Sequence, residues 1–289
     1  ADARIHGSLV ALFKGKAERF FWQKSSMADP TMAQRPAIRP PKIRLFVEGS
    51  LAAGARVELS PDQAHYAGRV MRLGPGDALA LFNGRDGEWR GRVARLDRKG
   101  GEAEAEERLR SQTAGPDLWL LFAPLKKTAT DFLVEKATEL GVARLVPVFT
   151  RRTAAERINR ERLRARAVEA AEQCERLDVP EVAEAATLER VVAEWPAGRR
   201  LFVADEQGGG IPAAEAFASS PKDAPAHAFL IGPEGGFERS ELDALGRLPF
   251  VSRVTLGPRI LRAETAALAM LACWQAITGD GRSQPPARD

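Results

Sequence analysis

From Arg44 onward the chain runs in short apolar bursts separated by turn residues. Arg44 to Val47, Arg56 to Leu59, Ala78 to Phe82, Glu88 to Leu96 and Ala103 to Leu109 are strand-length, bounded by residues that favour turns. Gly74-Pro75-Gly76-Asp77, Asn83-Gly84 and Lys99-Gly100-Gly101 supply those turns. The pattern predicts a small β-barrel over residues 42–111, interrupted by one helix around Asp62 to Met71.

Ser111 to Asp117, with Gly115-Pro116 inside it, reads as a hinge. After it the period changes. Strands are predicted at Leu118 to Ala123, Leu145 to Phe149, Leu201 to Ala204, Phe229 to Ile231 and Val251 to Leu256. Helices are predicted at Thr130 to Leu140, Asn159 to Leu177, Arg239 to Leu245 and Thr265 to Ile277. Thr130 and Thr265 are the expected N-caps of their helices, and Gly141 the expected stop of the first. Such alternation implies an α/β domain with a parallel sheet covered by helices, over 117–280. Residues 281–289 read as a tail. Residues 1–41, with Arg35-Pro36 and Arg39-Pro40-Pro41, read as a disordered extension ahead of the fold; an amphipathic targeting segment over Ala11 to Trp22 is the weaker alternative.

A hydrophobic content of 44% over 289 residues supports a sizeable core. No apolar run approaches the ~18 residues of a membrane span, so a cytoplasmic protein is expected. Two cysteines and three scattered histidines offer neither a disulfide framework nor metal-ligand spacing, and no metal is expected. The net charge of +4 lies in residues 1–41, so global charge says little about partners. Local clustering says more. Arg144, Arg151, Arg152, Arg157, Arg160, Arg162, Arg164 and Arg166 face only Glu156 and Glu161 in sequence, a stripe suited either to phosphates or to a solvated, ion-paired face. In the barrel, Arg69, Arg72, Arg85, Arg90 and Arg92 surround Tyr66, Phe82 and Trp89, a mixture that suits single-stranded RNA if the rings are not core.

Two loops carry the chemistry. Leu230-Ile231-Gly232-Pro233-Glu234-Gly235-Gly236-Phe237 and Leu256-Gly257-Pro258-Arg259-Ile260-Leu261-Arg262-Ala263-Glu264-Thr265 each follow a predicted strand, and α/β sheets bind ligands at strand C-terminal ends. Glycines there let main-chain groups approach a ligand, and Ile260 and Leu261 would form an apolar wall. A Gly-rich turn alone is equally a tight turn. Neither loop has the lysine of a phosphate-binding loop or the dinucleotide spacing, which weakens a nucleotide-binding alternative built on Gly235-Gly236.

These loops, with Lys136-Ala137-Thr138-Glu139-Leu140-Gly141-Val142 and Glu172-Gln173-Cys174-Glu175-Arg176 upstream, resemble the RsmE family of 16S ribosomal RNA uracil-N3 methyltransferases over roughly Arg44 to Thr278. The resemblance implies a PUA-like RNA-binding barrel followed by a SPOUT α/β domain with a C-terminal trefoil knot. It also implies an S-adenosylmethionine-dependent enzyme that works as a homodimer on ribosomal RNA or the small subunit. A non-catalytic assembly factor on the same scaffold is the rival.

On that reading the cofactor is held by Leu230, Ile231, Gly232, Pro233, Glu234, Gly235, Gly236, Leu256, Gly257, Ile260, Leu261 and Thr265. Arg262 is the expected stabiliser of the uracil anion, unless it pairs with Glu264 or Glu234. Glu264 or Glu234 could act as the base, although an acid beside an arginine stays ionised and accepts protons poorly. RNA would meet Arg69, Arg72, Arg90, Arg151, Arg152, Arg164 and Arg176. Glu172 and Arg176 also have the i, i+4 spacing of an ion pair, and Glu175 stands where the family commonly has glycine.

Overall fold

The computed structural model describes residues 41, 43–155, 157–220 and 226–284. The extension expected over 1–41 lies outside the described residues except for Pro41.

The N-terminal part is a five-stranded sheet. Strands β1 (Arg44–Phe46), β2 (Arg56–Leu59), β3 (Ala78–Phe82), β4 (Glu88–Asp97) and β5 (Gly100–Arg110) run in the order β1-β3-β4-β5-β2, with β1 parallel to β3 and the other pairs antiparallel. Alternate positions turn inward, so Leu45, Val57, Leu59, Leu79, Leu81, Val93 and Ala103 share one buried core. The predicted helix is two pieces. α1 (Pro61–His65) opens with a capping box between Ser60 and Gln63, and a π turn, Tyr66–Val70, continues it.

The second part is an eight-stranded sheet. It comprises β6 (Leu118–Phe122), β7 (Arg144–Phe149), β8 (Glu181–Val182), β9 (Ala186–Thr187), β10 (Arg200–Ala204), β11 (Ile211–Pro212), β12 (His227–Ile231) and β13 (Val251–Thr255). The order is β11-β13-β10-β12-β6-β7-β8, with β9 against β7, and every pair is parallel. Period-two alternation divides each strand between two cores. Leu118, Leu120, Phe122, Phe229 and Ile231 face α2 (Lys127–Glu139), α3 (Arg160–Cys174), α5 (Ala213–Ala218) and α7 (Ala263–Ile277). Leu121, Ala228 and Leu230 face α4 (Leu188–Ala193) and α6 (Arg239–Leu245).

Three helix ends differ from expectation. α2 begins at Lys127, because the Thr130 hydroxyl is used by the Leu125 main chain rather than as a cap. α7 begins at Ala263 with Arg262 as its cap residue, leaving Thr265 exposed in the first turn. α3 ends at Cys174 because Glu175 takes the left-handed conformation, φ 62°. The stop at Gly141, φ +81°, is as expected. The start of the predicted tail is tied down: Gly281 N–H donates to the Gln275 carbonyl, directly after Asp280 N–H donates to Gln275 Oε1.

Candidate functional site

Four neighbouring strands, β13, β10, β12 and β6, end on one edge, and the segments leaving them enclose a cleft of about 730 Å³. Both Gly-containing loops lie there, as strand-end placement predicts. Ile231, Gly232, Pro233, Glu234 and Gly236 come from the first loop, and Leu256, Gly257, Ile260, Leu261, Arg262 and Glu264 from the second.

Three expected residues do not line the cleft. Leu230 is fully buried in the opposite core, since alternation along β12 turns it away from Ile231. A side chain at Gly235 would meet Arg152 at 3.6 Å rather than the cleft. Thr265 points outward from α7.

The first loop is braced from below. Phe237 is fully buried, and a β-carbon at Gly232 would sit 2.9 Å from its ring. Gly236 has φ +68°, and Gly236 N–H donates to the Pro233 carbonyl. Glu206 Oε1 accepts from Phe237 N–H at 3.0 Å, and Gln207 Nε2 donates to the Phe237 carbonyl at 3.1 Å. Asp205 is buried and binds Arg253 of β13 through both Nε and Nη2.

Asp205, Glu206, Gln207 and Gly208, together with Lys126, are cleft residues that the sequence reading missed. A signal existed: Asp205 to Gly210 is a third glycine-rich segment directly after a predicted strand. The second loop is open. A side chain at Gly257 would approach only Arg259, and Ile260 is 88% exposed. An aliphatic side chain so exposed beside Leu256 and Leu261 gives the cleft an unfilled apolar wall.

Arg262 is exposed, and its guanidinium has no partner among the described residues. The alternative pairing with Glu264 or Glu234 does not form. Glu234 instead accepts from the Lys126 main-chain N–H at 3.3 Å.

The RNA candidates separate into two groups. Arg151 binds Glu238 and Ser240, and Arg152 Nη1 donates to the Gly235 carbonyl at 3.1 Å, so this pair supports the first loop. Arg164 pairs with Glu48 and lies over Phe46. Arg90 lies 3.7 Å from Glu106. Arg176 spends its donors on both Asp178 oxygens and on the Thr138 and Val142 carbonyls, which corrects the expected pair with Glu172. Arg69 and Arg72, exposed, are the two of the seven with neither an ion pair nor a side-chain hydrogen bond among the described residues. Phe82 is fully buried, Trp89 is half-buried with its indole N–H on the Asp86 carbonyl, and Tyr66 is 42% exposed.

The family model described as "RNA methyltransferase domain" matches residues 112–275, and "RNA methyltransferase PUA domain" matches 59–106. The chain belongs to the RNA methyltransferase family. Its curated relatives include ribosomal RNA small subunit methyltransferase E of Rickettsia conorii, 31% identical, with 79% of this chain and 93% of the relative covered. The protein of that name from Synechocystis is 32% identical, with 86% and 80% covered. Among solved structures, that of the Neisseria gonorrhoeae family member bound to S-adenosylmethionine superposes with a TM-score of 0.74 at 26% identity, covering 82% of this chain and 98% of that one. A Legionella pneumophila protein in complex with the same cofactor gives 0.72 at 30% identity, covering 83% and 98%. The two family models together reach into both sheets.

Proposed function

We propose that this chain methylates N3 of a uridine in small-subunit ribosomal RNA, using S-adenosylmethionine. The observation that carries the reading is the cleft: main-chain glycines on one side, an exposed aliphatic wall on the other, and an unpaired arginine at its rim. The residues fit an adenosyl group. Gly232, Gly236 and Gly257 let main chain approach it, and Leu256, Ile260 and Leu261 would cover its apolar faces. When bound, the cofactor supplies a methyl group on a sulfonium, already electrophilic.

What remains for the protein is to present the nucleophile. Uracil N3 carries a proton, and its anion spreads charge onto the ring carbonyls. Arg262, with a planar fork of donors and no internal carboxylate competing for it, is placed to hold that anion. Glu264 is the general base on this reading, half-buried on the first turn of α7 two residues from Arg262. Alignment in the cleft supplies the rest of the rate.

The same reading takes residues 42–111 as a closed PUA-like barrel that guides RNA, 117–280 as a knotted SPOUT domain, and the protein as a cytoplasmic homodimer. No helix among the described residues is long and apolar enough to cross a membrane. The largely apolar α7, packed on α2 where Phe132 is 41% exposed, supports pairing of two copies there. The deciding experiment is calorimetric titration with S-adenosylmethionine, followed by mapping of methylated uridine in small-subunit RNA treated with the protein. RNA binding without cofactor binding would favour the assembly-factor rival.

A further inference from the structure

The segment Gln63 to Gly76 holds His65, Arg69 and Arg72 and no acid. Its inner face is fixed. Ala64 and Ala67 are buried, and Gly68 lies against Leu96 of β4. Its outer face is open. Tyr66, Val70 and Met71 are 42%, 57% and 39% exposed, three of the few large apolar side chains that the described residues leave in solvent.

The local backbone presents this face. The Met71 N–H donates to the Tyr66 carbonyl, closing the wide π turn, and Arg72 follows with φ 60°. The turn therefore ends abruptly, with Arg69 and Arg72 bracketing Val70 and Met71 in sequence. Most arginines on the strands of this sheet are neutralised: Arg56, Arg90, Arg92, Arg95 and Arg110 each have a carboxylate. Arg69 and Arg72 have none among the described residues.

An exposed phenol ring on the same short segment as exposed apolar side chains and free guanidinium groups matches a base stacked on a ring with phosphates nearby. A protein partner of acidic character would use the arginines but would leave the ring face without a specific role. We propose that Tyr66 is a stacking platform for one unpaired base of the RNA substrate, with Arg69 and Arg72 engaging the adjacent phosphates; this rests on the functional reading above and adds the strandedness of the RNA that the barrel takes.

The test uses the full chain and a labelled single-stranded RNA of about twelve nucleotides, compared with the duplex it forms with its complement, in fluorescence anisotropy at several salt concentrations. Tyr66→Ala should weaken single-strand binding roughly ten-fold, in line with the loss of one stacked base. It should leave duplex binding and the salt slope unchanged. Tyr66→Phe should restore affinity, since the ring rather than the hydroxyl is used. Arg69→Gln with Arg72→Gln should instead flatten the salt dependence by about two released counterions. S-adenosylmethionine affinity and thermal unfolding, measured on the same preparations, should not move.

Tyr66→Ala binding single strands like wild type, or losing duplex affinity equally, overturns the platform while leaving the methyltransferase reading intact. A wild-type chain that binds neither RNA nor S-adenosylmethionine overturns both.

Discussion

Arg44 Nη1 on strand β1 donates to the carbonyl oxygen of Ala171 in helix α3, at 2.9 Å. The same guanidinium caps the carbonyls of Glu172 and Arg176, pairs with Glu88, and lies 4.4 Å from the Phe82 ring centroid. A cation from the N-terminal sheet thus satisfies the end of a helix in the catalytic domain, where orphan carbonyls and the helix dipole both favour positive charge. Glu88 joins Arg44 to Arg110, whose Nη2 reaches the Glu175 carbonyl.

Removing Glu88 would leave two cations facing each other in a nearly closed site, Glu88 being only 5% exposed along its side chain. Glu88→Gln should cost about 3 kcal/mol in urea unfolding at neutral pH. Burial pushes the Glu88 carboxyl up, but hydrogen bonds from Arg110 and Arg44 outweigh it and hold the group below its ordinary 4.5. Its contribution is therefore present above that value and is lost as pH falls through the lower folded value. The variant should show a weaker acid dependence over that range.

Glu172 has the opposite sign. Burial raises its carboxyl to about 7, against the opposing pull of the Phe46 N–H and Arg44. The folded state then holds a proton that the unfolded chain gives up near 4.5, so this contribution is full below that pH and is lost as pH rises through about 7. Glu172→Gln, which can still accept from Phe46, should be about 1–2 kcal/mol more stable than wild type at pH 8 and no more stable at pH 4. Burial lowers His227 from its ordinary 6.5, which makes the folded state gain stability as pH rises toward that value. Urea midpoints of wild type and variant at each pH cancel that term.

Glu175 sits in left-handed conformation at the end of α3. Glu175→Gly keeps the backbone carbonyl that Arg110 uses and removes a β-carbon from a region L-residues avoid. An increase of about 0.5–1 kcal/mol is expected from thermal or urea unfolding.

The two adjacent glycines of the first loop should respond differently. A β-carbon at Gly236 would lie on Glu206 and would also strain φ +68°, displacing the carboxylate that holds Phe237 N–H. Gly236→Ala should lower S-adenosylmethionine affinity by about 1–3 kcal/mol in calorimetry. Gly235→Ala makes ordinary contact with Arg152 and should change affinity little.

Regular strands and the two loops were legible because their signals are local. β12 carries the apolar run Ala228 to Ile231, β13 holds the β-branched Val251, Val254 and Thr255, and Arg239–Leu245 is bounded by its own capping box with Glu238 and Glu241. Two-residue strands such as Glu181–Val182 and Ala186–Thr187 are shorter than any period. The arginine stripe left two readings open for a different reason: counter-charges such as Glu48, Asp131, Glu184 and Glu238 come from distant segments. Likewise Arg176 has its natural partner four residues earlier by spacing, yet a left-handed Glu175 turns it toward Thr138 and Val142 instead. Of the candidate site, both loops and Arg262 were readable. The bracing loop Asp205 to Gly208 carried a local signal in its glycines after a strand, but its role depends on β10 lying between β12 and β13, an order that no local pattern encodes.

That strand order also has a consequence for synthesis on the ribosome. Strand β6, Leu118-Trp119-Leu120-Leu121-Phe122, is made first, but one of its two neighbours is β12, registered from His227 onward. Until that segment leaves the exit tunnel, a fully apolar, uncharged strand has one open edge, the kind of template on which nascent chains pair wrongly. A translational stall before His227 would therefore leave an adhesive fragment rather than a folded half, and passage beyond Ile231 is what closes the window of vulnerability.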